Sequence, residues 1–261
     1  MIYGFIGLGN MASAIIRGMR GSEAFRDIQV CGRDKHPEKV QSLDVLGFDS
    51  LEKFASFTDV IVLSVKPQAL EPLLQELGPL LRPDKLLVSI AAGKPISFYE
   101  SRCHGVPFVR VMPNMNAEAG ASVTAVCGGT RATREHVKLV KSLFSSIGSV
   151  YELPETQFAV FGAIAGAAPA YTYMYIDAVA SAGVRAGMPR ALAVDIAADM
   201  ALGSAKLLKE SGQHPMALAD KVCSPGGTTI EGVHRLRALG FESAVYEAIA
   251  AVIEKDQKLG E

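Results

Sequence analysis

The sequence predicts an α/β domain with a doubly wound, mostly parallel sheet, followed by an all-helical domain. Three observations predict this arrangement. Short apolar runs of strand length recur between residues 2 and 151, and helical patterns separate them. A glycine-rich turn joins the first strand to the first helix. From Pro154 onward the strand signals stop and only helical patterns remain. We therefore expect two domains, over residues 1–152 and 153–261.

Composition excludes several classes of protein. A chain of 261 residues with 49% hydrophobic and 20% charged residues is typical of a globular protein with a large core. A net charge of −1 gives no bulk attraction to nucleic acid or to an anionic membrane, so we expect neither as a partner. Met1 leads directly into the first strand, and the four cysteines form no C-x-x-C pair, which indicates a reducing, cytoplasmic location with buried thiols. The five histidines lack metal-ligand spacing, so we expect no metal.

The first turn carries a recognisable binding motif. Residues 7–12 read G-x-G-x-x-A between a strand over 2–6 and a helical pattern, which is the dinucleotide fingerprint of a Rossmann domain. Gly7 allows the tight turn, Gly9 lets a pyrophosphate approach the backbone, and Ala12 lets helix and strand pack closely. A purely structural turn is the alternative. The predicted cofactor contacts here are Gly7, Leu8, Gly9, Asn10 and Met11.

The second strand indicates which dinucleotide binds. In NAD-specific sites this strand ends in an acid that holds the ribose 2′-hydroxyl. Here the strand over 27–31 ends at Cys31 and Gly32, and Arg33 follows. A guanidinium can pair bidentately with a 2′-phosphate, so the sequence favours NADPH as the cofactor. Asp34 leaves NADH open, and a solvated surface charge is the alternative for Arg33.

Three further loops follow strands over 59–65, 86–90 and 108–111. These runs are continuously apolar, as in parallel strands buried on both faces. The carboxyl ends of such strands border the ligand crevice of an open α/β sheet. Small residues in the second loop leave room for a flat nicotinamide ring. Strands over 122–127 and 149–151 flank a helix over 131–146. The predicted cofactor contacts are Val65, Lys66 and Pro67, then Ala91, Ala92 and Gly93, then Met112, Pro113 and Asn114.

The second half begins with an uncharged helical segment over residues 156–176, which raises the question of a membrane span. Its many alanines and glycines, with Pro169, favour instead a helix buried by close helix–helix contact at a subunit interface. Further helices are predicted over residues 190–210, 214–222 and 241–258.

The loop over residues 224–229 reads Ser-Pro-Gly-Gly-Thr-Thr and leads into a helix. Thr228 as N-cap and Glu231 as the third helical residue form a predicted capping box. The free N–H groups and the positive dipole end of that helix suit a carboxylate. If the Glu231 side chain took the Thr228 N–H, that donor would be lost to a ligand. A well-capped loop without a ligand is the alternative.

On these motifs the chain resembles the pyrroline-5-carboxylate reductases over essentially its full length. The resemblance lies in residues 5–11, 64–67, 109–114, 169–171 and, most specifically, 224–229. It implies reduction of 1-pyrroline-5-carboxylate to L-proline with NAD(P)H, the last step of proline biosynthesis. It also implies a helical dimerisation domain whose helices interleave between subunits, in a homodimer or an assembly of dimers.

The resemblance assigns roles to the loop after Cys223. The Ser224 hydroxyl and the N–H groups of Gly227 and Thr228 hold the substrate carboxylate, and the Thr229 hydroxyl lies near the ring nitrogen, which makes it the candidate catalytic group. A purely structural role for Thr229 in the first helical turn is the alternative. The substrate-binding set is Ser224, Gly226, Gly227, Thr228 and Thr229.

Two departures from the family pattern keep other functions open. The chain has Met115-Asn116 where the family commonly has Thr-Pro, and Ala167-Ala168 where it commonly has Ser-Gly. A reductase of a different cyclic imine and a catalytically silent nucleotide-binding regulator are the alternatives. A β-hydroxyacid dehydrogenase is disfavoured, because that class needs a lysine base early in the second domain and residues 154–205 contain no lysine.

Overall fold

A computed structural model describes residues 1–260, with side chains described through Lys258. Its centre is an eight-stranded sheet in the order β3-β2-β1-β4-β5-β6-β7-β8, in which only the β6–β7 pair is antiparallel. The strand order reverses between β1 and β4, which places the ligand crevice of such folds there. This confirms the predicted α/β class. The strands are β1 (Ile2–Ile6), β2 (Gln29–Arg33), β3 (Leu46–Gly47), β4 (Val60–Leu63), β5 (Leu86–Ser89), β6 (Phe108–Met112), β7 (Ser122–Gly128) and β8 (Gly148–Glu152).

The helices lie between the strands in the first half and follow one another in the second. A π-helical segment, Gly162–Ala167, precedes the first long helix of the second half. The helices are α1 (Asn10–Gly21), α2 (Pro37–Ser42), α3 (Leu51–Phe57), α4 (Leu70–Leu77), α5 (Ile96–Glu100), α6 (Arg134–Ser145), α7 (Phe158–Phe161), α8 (Ala168–Arg185), α9 (Arg190–Ser211), α10 (Pro215–Val222), α11 (Thr228–Ala238) and α12 (Phe241–Gly260).

The sheet is buried on both faces, which explains the continuous apolar runs. Successive side chains of a strand point to opposite faces. In β4, Val60 and Val62 join one hydrophobic cluster with Phe144 of α6, whereas Ile61 and Leu63 join the other. Each face therefore packs against helices, as a parallel sheet requires.

The second strand has the predicted length but lies two residues later in the chain: it spans Gln29–Arg33, whereas the sequence predicts residues 27–31. Gly32, which reads as the end of the strand, pairs with Phe5 of β1 and Gly47 of β3. A Cβ atom at Gly32 would lie 2.9 Å from Cδ1 of Leu8. Glycine is present here because Leu8 packs onto the strand, not because the strand stops.

The chain divides into two compact units, one of residues 1–166 with the end of α12 from Ile253, the other of residues 167–252. The first unit therefore extends beyond the boundary at residue 152 that the sequence suggests. Side chains of the sheet hold the extra segment: Arg110 of β6 pairs with Glu155 (Nη1–Oε1 2.7 Å), and Asn114 Nδ2 donates to the Ala165 carbonyl at 2.8 Å.

The uncharged segment predicted as one helix over 156–176 is helical without interruption from Phe158, but its hydrogen-bond pattern changes along α7, the π-helical segment and α8. Pro169 has no N–H and so cannot donate to the carbonyl of Ala165 four residues earlier. That carbonyl instead accepts the hydrogen bond from Asn114. By length and composition alone, the helical stretch from Glu155 to Arg185 is apolar enough to cross a membrane.

The helical unit has a small core. Its buried cluster consists of Ala180, Ala193 and Ala197, with Ile176 packed against it. Larger apolar side chains of α8 and α9 are exposed, among them Met174 (70%) and Leu202 (70%). Such a broad apolar surface is typical of a protein–protein interface.

Candidate functional site

The glycine-rich turn has the geometry of a phosphate-binding loop. Gly7 has a φ of +90°, and a Cβ atom there would lie 2.8 Å from the Ser64 carbonyl oxygen, so the turn requires glycine. Gly9 is the N-cap of α1, without a side-chain cap and without an acidic residue in the first turn. Apart from its chain neighbours and its own helix, no described residue comes within 4 Å of a Cβ built on Gly9, so a ligand can approach its backbone. The free N–H groups of Asn10 and Met11 therefore suit the pyrophosphate of a dinucleotide.

The end of β2 lies against this turn. The Gly7 N–H donates to the Arg33 carbonyl at 2.8 Å, and the Leu8 N–H donates to Asp34 Oδ2 at 2.6 Å. Arg33 Nε donates to the Asp49 carbonyl at 3.3 Å. Within the described side chains the Arg33 Nη atoms have no hydrogen-bond partner, so they are available to a phosphate group.

The loop after β4 adjoins the first turn. The Ser64 hydroxyl donates to the Gly7 carbonyl, and Val65 Cγ1 lies 3.0 Å from the position of a Gly7 Cβ. Lys66 is exposed and serves as the N-cap of a 3-10 turn that begins at Pro67. The structure thus brings Val65 and its neighbours to the edge of the turn, and the Lys66 ammonium is accessible to a ligand.

The loop after β5 is fixed at both ends. At its start, the Ala91 N–H donates to Ser89 Oγ at 3.2 Å, and that oxygen lies 2.8 Å from the Tyr99 hydroxyl. At its end, the Ile96 N–H donates to Glu155 Oε1 at 2.7 Å. Between these anchors Ala92 is exposed, and Gly93 has a φ of +76° with open space around it. A rigid, small-sided loop of this kind suits a flat ring.

A buried ion pair supports that loop. Glu155 Oε1 accepts hydrogen bonds from both Ile96 and Arg110, and the Arg110 guanidinium lies 4.5 Å from the centre of the Phe158 ring. The Arg110 side chain is 9% exposed and the Glu155 side chain 32% exposed. A cavity of about 220 Å³ borders Gly93, Arg110 and Glu155. The sequence reading missed this pair, although an arginine inside an otherwise apolar strand signals a buried partner.

The loop after β6 uses its polar side chain internally. Asn114 is 5% exposed. Its Oδ1 accepts from the Val123 N–H at 3.0 Å, and its Nδ2 donates to the Ala165 carbonyl. Met112 and Pro113 are half-buried. The Asn114 amide is therefore turned into the protein, so any contribution it makes to a ligand site is through the position of the loop.

In the second unit, the loop over residues 224–227 leads directly into α11. The N-cap of α11 is Gly227, with φ −80° and ψ 170°, and none of the side chains described through Lys258 caps the helix. The predicted capping box is therefore wrong, because Thr228 is the first helical residue and Glu231 lies one position too late. The conflict between Glu231 and a ligand does not arise, and the N–H groups of Thr228 and Thr229 remain free for an anion.

One donor predicted for the substrate is engaged in this structure. The Gly227 N–H donates to the Ser224 carbonyl at 3.0 Å. Gly226 has a φ of +69°, which favours glycine, and the Ser224 hydroxyl lies against the position of a Gly227 Cβ. The two glycines thus allow a tight turn that places the Ser224 side chain beside the start of α11.

The first unit therefore defines a class of protein, an oxidoreductase that binds a nicotinamide dinucleotide at the carboxyl edge of a Rossmann sheet. Family models match both halves: "NADP oxidoreductase coenzyme F420-dependent" over residues 2–93 and "Pyrroline-5-carboxylate reductase dimerisation" over residues 155–259.

Known relatives cover nearly the whole chain. Pyrroline-5-carboxylate reductase of Escherichia coli K12 is 39% identical over 261 residues, 98% of this chain and 97% of that protein. The enzyme of Pisum sativum is 37% identical over 259 residues, 98% of this chain and 95% of the pea protein. The chain belongs to the pyrroline-5-carboxylate reductase family.

Solved structures agree with this assignment. The Streptococcus pyogenes 1-pyrroline-5-carboxylate reductase has a TM-score of 0.89 at 35% identity, covering 99% of this chain and 98% of its own. The Plasmodium falciparum pyrroline carboxylate reductase, solved with NADP bound, has a TM-score of 0.89 at 30% identity, covering 100% of this chain and 98% of its own.

Proposed function

We propose that this chain reduces 1-pyrroline-5-carboxylate to L-proline with NADPH, and that NADH can replace NADPH. Family membership over the full length, together with the uncapped helix start at residues 227–229, carries the proposal. The glycine-rich turn fits the pyrophosphate, because Gly9 leaves its backbone open and α1 lacks a side-chain cap. When bound, the reduced nicotinamide supplies the hydride.

The substrate carboxylate binds, in this proposal, at the start of α11. The N–H groups of Thr228 and Thr229 and the Ser224 hydroxyl are the donors, and the positive end of the helix dipole stabilises the negative charge. The Gly227 N–H joins them only if its bond to the Ser224 carbonyl opens. These contacts hold the ring in one orientation, which lowers the entropic part of the barrier.

Thr229 has the second role in this proposal. Its hydroxyl hydrogen-bonds the ring nitrogen and positions the proton that the nitrogen carries in the product. The protein needs no strong acid for this step, because a protonated imine is already the better electrophile. Thr229 is half-buried at the second helical position, from which a short side chain can reach a ligand at the helix end.

A spectrophotometric assay tests the activity. Purified protein is mixed with pyrroline-5-carboxylate and NADPH or NADH, and the loss of absorbance of the reduced nicotinamide is followed, with L-proline identified as product. Thr229→Ala is expected to lower kcat about tenfold or more. Ser211→Ala, a serine outside the loop, is the matched control. Full turnover in the Thr229 variant would contradict the proposed contact, and a panel of other cyclic imines would detect a different substrate.

Cofactor preference is tested separately. Arg33→Ala is expected to raise the KM for NADPH about tenfold, because a charge-assisted phosphate contact is lost, and to leave the KM for NADH unchanged. Lys53→Ala removes an exposed charge from α3 and is the control. An unchanged preference in the Arg33 variant would contradict the 2′-phosphate contact.

The exposed apolar surface of the helical unit supports a homodimer, which we include in the proposal. An apolar cavity of about 500 Å³ on this unit is lined by Tyr171, Met174 and Phe241 among others. Leu202→Asp is expected to lower the molar mass measured by light scattering, whereas Leu46→Asp, on an exposed strand of the first unit, is expected to leave it unchanged. Unchanged mass in both variants would contradict an interface at Leu202.

We place the protein in the cytoplasm, as the proposed reaction and the cysteines suggest. Cys31 and Cys103 are buried, and burial raises the pKa of the Cys31 thiol to about 12 and that of Cys103 to about 11. Such thiols stay protonated and unreactive at neutral pH. Fractionation of cells followed by immunodetection tests the location, and recovery in the membrane fraction after a salt wash would contradict it.

A further inference from the structure

Asp34 follows the last residue of β2, where an acid commonly holds the ribose hydroxyl of NAD. In this structure its carboxylate is already used. Oδ2 accepts from the Leu8 N–H at 2.6 Å, Oδ1 accepts from the His36 N–H at 3.0 Å, and Lys39 Nζ lies 3.5 Å from Oδ2. The Asp34 side chain is 7% exposed. A ribose would have to displace these partners to reach it.

The contacts also fix the charge of the group. Burial acts to raise the pKa of Asp34, but hydrogen bonds from the Leu8 and His36 N–H groups, with the Lys39 ammonium, outweigh it and leave the pKa below its usual value. Asp34 is therefore ionised at neutral pH. Lys39 offsets this charge locally, so a 2′-phosphate bound nearby is not repelled by an uncompensated carboxylate.

We propose that Asp34 is a positioning residue that joins the glycine-rich turn to the loop after β2 and does not read the ribose. Leu8 lies between Gly7 and Gly9, so its N–H sets the orientation of the turn that faces the pyrophosphate. His36 lies in the loop that begins after Arg33. One carboxylate thus holds together two segments that bind different parts of the dinucleotide.

This inference rests on the proposed use of a nicotinamide dinucleotide, and direct binding tests it. Affinities of NADPH and NADH are measured by calorimetry for the unaltered protein, for Asp34→Asn and for Asp27→Asn, which removes an exposed acid just before β2, at the opposite end of that strand from Arg33. A positioning role predicts that Asp34→Asn weakens both cofactors by a similar factor of about ten and keeps their ratio. Asp27→Asn is expected to change neither affinity.

Two binding results would overturn the inference. Selective loss of NADH affinity, with NADPH unchanged or tighter, would mean that Asp34 reads the ribose. Unchanged affinity for both would mean that the contact does not position the turn.

Amide hydrogen exchange without cofactor provides an independent readout. The Leu8 amide is expected to exchange faster in Asp34→Asn than in the unaltered protein or in Asp27→Asn, because its charged acceptor is lost. Equal exchange rates of the Leu8 amide in Asp34→Asn and in the unaltered protein would overturn the proposed positioning role of Asp34. If the unaltered protein binds neither NADPH nor NADH, the proposed function fails, whereas the exchange experiment still decides whether Asp34 holds the turn.

Discussion

The buried Arg110–Glu155 pair leads to an unequal pair of mutational effects. Glu155→Ala leaves the Arg110 guanidinium, 9% exposed, without its partner and removes the acceptor of the Ile96 N–H. We expect a cost of about 4 kcal/mol in unfolding free energy. Arg110→Met leaves Glu155 with its bond to Ile96 and with 32% exposure to solvent, so its cost is about 1 kcal/mol.

The double variant provides the decisive measurement. Without the unpaired guanidinium, only the Ile96 hydrogen bond and the contact with the Phe158 ring are lost, at about 2 kcal/mol. Adding Arg110→Met to Glu155→Ala is therefore expected to recover about 2 kcal/mol of the lost stability. Urea unfolding at one fixed protein concentration gives the free energies. A double variant less stable than Glu155→Ala would refute the reasoning. The exposed Arg82–Asp84 pair is the control and should show no coupling above measurement error.

The same variants separate stability from positioning. Among the side chains that the structure describes, only Glu155 accepts from the Ile96 N–H after the Ala91–Gly93 loop, so the double variant still lacks that anchor. We expect kcat to be several-fold lower in Glu155→Ala, with or without Arg110→Met, because a less rigid loop orients the bound ring less well. In Glu155→Gln we expect kcat to recover, because the amide oxygen can accept the hydrogen bond from Ile96. Recovery of kcat along with stability in the double variant would show that the pair has no positioning role.

Three further predictions concern stability. The Tyr3 hydroxyl is buried without a hydrogen-bond partner among the described residues, and burial raises its pKa to about 12. Tyr3→Phe should therefore stabilise the protein by about 1 kcal/mol, and a lower melting temperature of this variant would contradict the prediction. Lys85 is buried, and its Nζ donates to the Thr58 carbonyl at 2.5 Å. Lys85→Met should therefore lower the free energy of unfolding in urea by about 2 kcal/mol, whereas the control Lys53→Met on α3 should not change it measurably. Because folding lowers the pKa of Asp34, the stability that its ionised form provides is complete above the ordinary carboxyl pKa of about 4 and is lost as pH falls through the lower folded value. The stability difference from Asp34→Asn should therefore be constant from pH 7 to pH 5 and shrink below about pH 4, and a difference that vanishes already at pH 6 would contradict this.

The sheet could be predicted because its signal is local. A strand such as β4 is apolar along its whole length since both faces are covered, and a short window of sequence contains that information. The two-residue strand β3 gives no such signal, and it forms because Cys31 and Gly32 offer a free edge for pairing. The glycine-rich turn was readable for a similar reason, because its conformation needs glycine at particular positions.

The details of the site depend on contacts between distant parts of the chain. Arg110 and Glu155 are 45 residues apart, and nothing in either local sequence identifies the other. The π-helical segment before α8 combines a local cause, Pro169, with a distant one, the Asn114 amide, which donates to the carbonyl that Pro169 leaves free. The capping box failed for another reason: Gly227 adopts the extended N-cap conformation as readily as threonine does, so the sequence leaves two registers for α11.

The alanine core of the helical unit affects the stability of this unit in solution. Small side chains bury little apolar area, so α8 and α9 gain little free energy from packing within one molecule. Folding of this unit is thus linked to assembly, and protein concentration enters its stability directly. Dilution should lower its melting temperature, and newly made chains will be most exposed to proteolysis before they meet a partner.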